Sequence, residues 1–357
     1  MLNARAKRLV AALPADFEAA IIGTEPNRFY LLDFDAGDAG HLLLLRDRLV
    51  YIIDSRYIEA ANRDIQGAEV VLQQEALDQI YDILKSEGVR KVYLEDGSTI
   101  AAWEQMQKKF QGVAFDISGT LRKALAGLRA IKDAEEVARM EEAQRITDAC
   151  FAHILPFIKP GVREMDLMLE MEHYMRSHGA QKVAFDTICV AGPNTSLPHG
   201  EPGAYQLQPG DFITMDFGAR YKGYCADMTR TVALGEPGAE KRRVYDVVLR
   251  AHLAGLEAAR PGMQGSAVDK VARDIIDAAG IDGRFGHGLG HAVGIEIHEQ
   301  PAFSPKCQDV VQAGMMLTVE PGLYLEGRFG CRIEDTVLLT ETGCRPLAKS
   351  PKALLVL

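Results

Sequence analysis

Carboxylates and histidines keep unusual company in the second half of this sequence. Asp216 follows the apolar run Phe212, Ile213, Thr214 and Met215, and Glu320 follows Met316, Leu317, Thr318 and Val319, so both sit in strand-like stretches. Asp227 lies in CADMTRT, His291 in GHGLGHAVGIEIHE and Glu334 in RIEDT. A carboxylate in an apolar strand is expensive to bury unless positive charge meets it. For any one of these acids an arginine partner, or a strand end open to solvent, is a sufficient answer. Five such positions together ask for a stronger source of charge, and divalent metal supplies it. One imidazole among four carboxylates is a mainly hard ligand set that suits Mn²⁺, Co²⁺, Fe²⁺ or Zn²⁺. Four carboxylates also balance two divalent ions before any hydroxide is added.

Further groups stand near these in the chain. His287 and His298 flank His291, His199 lies in SLPHG, and Arg332 precedes Glu334 by two residues. Alone, such a histidine is ordinarily a core or surface residue and such an arginine a surface ion pair. The glycines of GHGLGH do not make a phosphate loop, because the GxGxxG spacing fails and no nucleotide-binding βαβ pattern frames them. Close backbone packing around His291 is their simpler use.

The elements that must position these residues are also legible. The first third alternates short apolar runs (AAIIG, the segment Phe29 to Phe34, LLLL, VYIID, EVVL, KVYLE, VAFDI) with helical patterns such as Leu77 to Ser86 and Ile100 to Phe110. This predicts an α/β domain. From about Ile131 the texture changes to a long charged helical stretch in which Ile146, Cys150, Ile154 and Phe157 recur at helical spacing. The domains are therefore placed at 1–128 and 129–357. Within the second, Lys159-Pro160-Gly161-Val162 followed by Asp166 resembles Arg260-Pro261-Gly262-Met263 followed by Asp269. Each PG turn precedes a helical segment, Glu164 to His178 and Ala267 to Ala279, that ends before a glycine, which predicts a duplicated unit.

Composition limits the possible partners. The 357 residues exceed the roughly 250 to 300 at which a single core stops growing, in keeping with two domains. A formal net charge of −10 repels a phosphate backbone, so nucleic acid is not expected as a partner. Six scattered cysteines without a CxxC pair fit the reduced state of the cytoplasm. Charges interrupt Met1 to Gly23, so no signal peptide is read there, and no segment has the ~20 apolar residues of a membrane span.

In order and context these motifs resemble the pita-bread metallopeptidase family of aminopeptidase P, prolidase, methionine aminopeptidase and creatinase. The resemblance is strong over about residues 132–357 and looser before them. It implies a creatinase-like N-terminal α/β domain and a catalytic α+β domain of two similar halves around a curved antiparallel sheet. It further implies that Asp216 chelates one metal, Asp227 and Glu334 bridge two, and His291 and Glu320 complete the other. Glu320 would also shuttle a proton, His199 and His298 would contact substrate, His287 would stand beside them, and Arg332 would order the acidic network. Two divalent ions, Mn²⁺ foremost, a proline-containing peptide substrate and a homodimer are expected on the same ground.

The large N-terminal domain and the PHG and IHE histidines point to the Xaa-Pro branch, while the retained ligand positions disfavour metal-free creatinase and a non-catalytic binding relative. Between aminopeptidase and dipeptidase, a strict dipeptidase needs a cation for the free proline carboxylate. Prolidases often carry arginine in an HExPR pattern, where this chain reads His298-Glu299-Gln300-Pro301-Ala302. The sequence expectation is therefore an Xaa-Pro aminopeptidase, with the Xaa-Pro dipeptidase as alternative.

Overall fold

The computed structural model of the protein describes residues 2–95 and 97–357 and divides into two compact units, Met1–Arg129 and Ala130–Leu357. Among the described residues no helix is long and apolar enough to cross a membrane.

The first unit is built on strands β1 (Ala19–Ile22), β2 (His41–Leu45), β3 (Leu49–Ile53), β4 (Glu69–Leu72), β5 (Lys91–Leu94) and β6 (Ala114–Asp116), in the order β4-β3-β2-β1-β5-β6. The β1–β2 and β2–β3 pairs are antiparallel and the rest parallel. Its helices are α1 (Ala4–Ala12), α2 (Glu25–Leu32), α3 (Ile58–Asp64), α4 (Ala76–Ser86), α5 (Ile100–Lys109) and α6 (Thr120–Ala130). Alternate strand residues, Ala19 and Ile21, Leu43 and Leu45, Val50 and Ile52, share a core with Ile80 and Leu84 of α4 and with Met106 and Phe110 at the end of α5. One apolar run takes a different form: Phe29 to Leu32 close helix α2, which begins with Pro26 in its first turn and stops at Asp33 in a left-handed conformation. All four are buried, so the helix shows no polar face there and its apolar run imitates a strand.

The second unit opens with helix α7 (Ala134–Ile154), whose start is fixed by a reciprocal cap. The Asp133 carboxylate accepts the Glu136 N–H at 3.0 Å, and the Glu136 carboxylate accepts the Asp133 N–H at 2.9 Å. Ile146, Cys150 and Ile154 form the buried stripe, but Phe157 does not extend it. Pro156 falls in a 3-10 turn, Leu155–Phe157, that leaves Phe157 42% exposed and puts Ile158 inside.

Two similar halves follow. Helices α8 (Glu164–Ser177) and α10 (Gly265–Ala278) begin and end at a constant offset of 101 residues, Glu164 to Gly265 and Ser177 to Ala278. Gly161 and Gly262 of the PG turns both have positive φ, 82° and 88°, and donate N–H bonds of 2.9 Å to Leu207 and Val311 respectively. The matched aspartates are not equivalent, however. Asp166 is half-exposed and pairs with Arg163, whereas buried Asp269 accepts the Leu289 N–H at 2.9 Å. In the first half the anchoring carboxylate is Glu164, which accepts the N–H groups of Ala191 at 2.6 Å and Gly203 at 3.0 Å.

The strands of this unit are β7 (Lys182–Val183), β8 (Ile188–Ala191), β9 (Phe212–Phe217), β10 (Ala219–Tyr221), β11 (Tyr224–Cys225), β12 (Met228–Ala233), β13 (Gly290–Ala292), β14 (Glu299–Phe303), β15 (Met316–Val319), β16 (Gly322–Leu325), β17 (Phe329–Arg332), β18 (Asp335–Leu339) and β19 (Cys344–Pro346). All pair antiparallel, as β12-β9-β8 in the first half and β14-β13-β15-β18-β19 in the second. Each half has its own core. Met171 and Met175 of α8 join Ile213 and Met215 in one, and Val244, Val248 and Ala251 of helix α9 (Ala239–Ala258) join Leu317 and Val319 in the other.

Candidate metal centre

All nine side chains singled out in the sequence line one cleft of about 900 Å³ within the second unit. Asp216 lies near the end of β9, opposite Thr229, and Asp227 immediately precedes β12, so one hairpin presents two acids. A Cβ on Gly218 would stand 1.8 Å from the Ala226 carbonyl oxygen, so the chain crossing behind this hairpin requires glycine. His291 is the middle residue of β13, and a Cβ on neighbouring Gly290 would stand 2.0 Å from the Thr318 carbonyl oxygen. Glu320 directly follows β15 and Glu334 directly precedes β18, where Val319 and Asp335 are cross-strand partners. The acids thus come from corresponding strand ends of the two halves.

Three of these groups, Asp227, His291 and Glu334, bring ligand atoms within 4.8 Å of one another. The His291 ring Nδ1 faces the Ala292 carbonyl at 3.2 Å and so carries the proton, which leaves the Nε2 lone pair pointing into the cluster. That nitrogen stands 3.6 Å from Asp227 Oδ2 and 3.4 Å from Glu320 Oε1. Acceptors facing acceptors at such range repel unless a cation or a shared proton lies between them, and atoms bound to one ion at 2.0 to 2.2 Å stand roughly 3 to 3.5 Å apart. Asp216 Oδ1 is likewise buried without a hydrogen-bond partner. The donor set fits divalent metal.

Electrostatics carry the same message. Burial raises the Asp227 and Glu334 carboxyls well above their ordinary range, and neighbouring acids add to the effect: Glu334, Asp216 and Glu320 on Asp227, and Glu320 and Asp216 on Glu334. Burial also pushes Glu320 up to about 8 despite the nearby Arg332. His291 is lowered to about 4, chiefly by burial, so its ring is neutral and able to ligate. Without a cation these carboxylates cannot all be ionised together.

Arg332 organises one wall of the cleft. Its Nη2 donates to Asp216 Oδ2 at 2.7 Å, its Nε to the Thr229 hydroxyl at 3.2 Å, and its Nη1 to the Tyr324 hydroxyl at 2.7 Å. His287 Nδ1 donates to the Gly288 carbonyl at 2.8 Å, so its Nε2 accepts from the Tyr324 hydroxyl at 3.0 Å. Burial holds His287 near 4 and raises Tyr324 to about 12, which keeps both neutral. Tyr324, Thr229 and Thr318, whose hydroxyl donates to Glu320 at 3.2 Å, escaped the sequence reading. A strand threonine or tyrosine carries no local mark, although TVEPG does place Thr318 two residues from Glu320. His298 stacks edge-on to His291, ring centroids 4.3 Å apart, and both His298 and His199 are exposed in the cleft.

Residues 138–341 match metallopeptidase family M24, and residues 5–131 match the Creatinase/Prolidase N-terminal domain. The chain belongs to metallopeptidase family M24. It is a metallo-exopeptidase of the pita-bread fold, in a metal-dependent family, behind a creatinase-type N-terminal domain. It is similar to the solved structure of an Xaa-Pro dipeptidase from Bacillus anthracis, with 38% identity and a TM-score of 0.93 over 99% of each chain. An Xaa-Pro dipeptidase from Pyrococcus furiosus is 33% identical over 99% of this chain and 100% of its own. An X-Pro aminopeptidase from Thermotoga maritima is 32% identical, with a TM-score of 0.90 over 99% of this chain and 100% of its own. Among the described residues, Arg332 is the only lysine or arginine that lines the cleft of this M24 chain.

Proposed function

We propose that this chain is an Xaa-Pro dipeptidase whose two divalent ions are held by Asp216, Asp227, His291, Glu320 and Glu334. The observation that carries the reading is the His291 Nε2 lone pair facing two carboxylates, beside the unpartnered Asp216 Oδ1. When bound, the ions supply Lewis acidity, making a water nucleophilic near neutral pH and polarising the scissile carbonyl. Glu320 is the proton carrier of the pair of steps: it takes the proton of the attacking water and returns it to the leaving nitrogen. His298 and His199, exposed in the cleft, hold the substrate carbonyl and its flanking groups. Arg332 fixes Asp216 directly and His287 through the Tyr324 hydroxyl.

The sequence expectation put the aminopeptidase first, and the relatives named as dipeptidases, at 33 to 38% identity over nearly the whole chain, support the alternative better. One observation favours the second reading, an Xaa-Pro aminopeptidase: position 302 is alanine, and the cleft's guanidinium is already engaged by Asp216 and Tyr324. Mn²⁺ as the native ion, a homodimer and a cytoplasmic site of action rest on the family resemblance and composition alone.

The test is hydrolysis of Xaa-Pro and of Xaa-Pro-Yaa-Zaa by the Mn²⁺-loaded protein, with Asp227→Ala as inactive control. Cleavage confined to the dipeptide supports the dipeptidase, and preference for the tetrapeptide supports the aminopeptidase. Cleavage of neither, with metal bound, sinks both.

A further inference from the structure

Behind the β15–β18 pair, on the side away from the cleft, lies a fully buried histidine that the reaction does not touch. His252 projects from α9, and its ring spans the register pair Val319 and Asp335: Nδ1 stands 3.0 Å from the Val319 carbonyl oxygen and Nε2 3.2 Å from Asp335 Oδ2. The next residues along each strand end are Glu320 and Glu334, which line the cleft. Successive strand residues point to opposite faces, so His252 grips the back of the same two positions whose neighbours face the metal. Gly255, one turn along α9, brings the helix this close, since a Cβ there would stand 2.9 Å from a Val319 methyl carbon.

Both groups facing the ring are acceptors. A carbonyl cannot donate, and Asp335 is ringed by Arg230 Nη2 at 2.7 Å and Lys352 Nζ at 2.7 Å. Arg230 also donates to the backbone carbonyl of Glu334 at 2.5 Å and to that of Thr229 at 2.8 Å. The strand end that carries Glu334 is therefore gripped from behind by two cationic side chains.

We infer that His252 is a positioning residue of the metal centre, joining the Val319 carbonyl to the Asp335 carboxylate across the strand pair and so setting the spacing of Glu320 and Glu334. This rests on the metal-centre reading above. Groups that orient metal ligands from outside the coordination shell typically change metal affinity by 10- to 100-fold when removed.

The experiment is calorimetric titration of Mn²⁺ into the full-length, chelator-stripped protein, with thermal unfolding of the metal-free form measured in parallel. For His252→Ala we expect Mn²⁺ binding about 10- to 100-fold weaker. His252→Gln can place an amide donor where Nε2 stood, and we expect it to recover part of that loss. Lys352→Met, which removes a partly exposed partner of Asp335, should weaken binding by less than His252→Ala. If the alanine variant does not fold, the glutamine and Lys352 variants decide, and unchanged affinity in both overturns the inference. Folded His252 variants that bind Mn²⁺ as tightly as the parent, with only the metal-free melting temperature lowered, make His252 a packing residue. A parent protein that takes up no Mn²⁺ overturns the metal-centre reading and this inference together.

Discussion

Thr229 and Glu334, 105 residues apart and from opposite halves of the catalytic unit, are bonded twice: the Glu334 N–H donates to the Thr229 carbonyl at 3.1 Å, and the Thr229 hydroxyl donates to Glu334 Oε2 at 2.6 Å. The same hydroxyl oxygen accepts from Arg332 Nε at 3.2 Å. One small side chain thus joins a carboxylate of the second half to the arginine that fixes Asp216 of the first. The duplicated architecture meets at this seam, and the position of Glu334 relative to Asp216 depends on it.

Thr229→Val keeps the volume and removes the hydroxyl, leaving a buried carboxylate oxygen and a guanidinium N–H without that partner. Such losses cost about 1 to 3 kcal/mol. We expect chemical denaturation of the metal-free protein to show a destabilisation of that order, and Mn²⁺ binding to weaken by roughly tenfold. Wild-type metal affinity in the valine variant would show that the seam does not position Glu334.

Metal uptake should release protons and strengthen with rising pH. In the metal-free protein Asp227 and Glu334 are raised, and Glu320 is raised from 4.5 to about 8, so ligation must displace protons from them. The sign for stability follows from linkage. A carboxyl whose folded value lies above its unfolded value holds more protons when folded, so its contribution is full below the unfolded value and fades as pH rises. Between pH 6.5 and about 8, above the range where the lowered His287 and His291 oppose the trend, the metal-free protein should therefore lose stability, and the metal-loaded protein should lose less, since ions replace the protons. Melting curves across this range with and without Mn²⁺ check the sign; a metal-free protein that gains stability over the interval contradicts it.

Arg332→Lys tests whether charge alone suffices beside Asp216. The guanidinium serves Asp216, Tyr324, Thr229 and the Pro198 carbonyl from one plane, and an ammonium on a shorter reach cannot satisfy this set. Loss of an orienting partner outside the ligand shell predicts metal affinity about 10- to 100-fold weaker and a parallel fall in kcat/KM. A lysine variant with wild-type affinity and rate would mean that only the positive charge matters.

What could be read from the sequence, and what could not, divides along a physical line. Asp216 and Glu320 announced themselves because a carboxylate after an apolar strand run is costly in any fold. The two PG turns were visible because only a turn needs that pair, and the helices after them share a 101-residue offset from Glu164 to Gly265. Tyr324, Thr229 and His252 gave no such signal. Their side chains are ordinary for strands and helices, and their partners lie far along the chain, as with His252 and Asp335, 83 residues apart. The mismatch of Asp166 with Asp269 has a similar source: local spacing cannot tell a half-exposed helix acid from a buried one that anchors a strand. Phe29 to Leu32 and Phe157 were misplaced because a helix buried all round loses its period, and Pro156 breaks one that had been clear.

Ala302 offers the sharpest test of substrate class. It lies directly across from His291 in the β13–β14 register, so both side chains share one face, and both line the cleft. An arginine there would project beside the metal centre and add a second guanidinium to a cleft whose one lysine or arginine among the described residues, Arg332, is engaged by Asp216 and Tyr324. Charge-assisted hydrogen bonds to a dipeptide's proline carboxylate are worth about 1.5 to 3 kcal/mol, or roughly 10- to 150-fold. Ala302→Arg should therefore raise kcat/KM for Xaa-Pro relative to Xaa-Pro-Yaa-Zaa, through KM more than kcat, since the carboxylate is held alike before and during the reaction. Steady-state rates on the two substrates measure the ratio. If the parent already favours the dipeptide and the arginine leaves the ratio unchanged, the carboxylate is anchored elsewhere and position 302 does not set the substrate class.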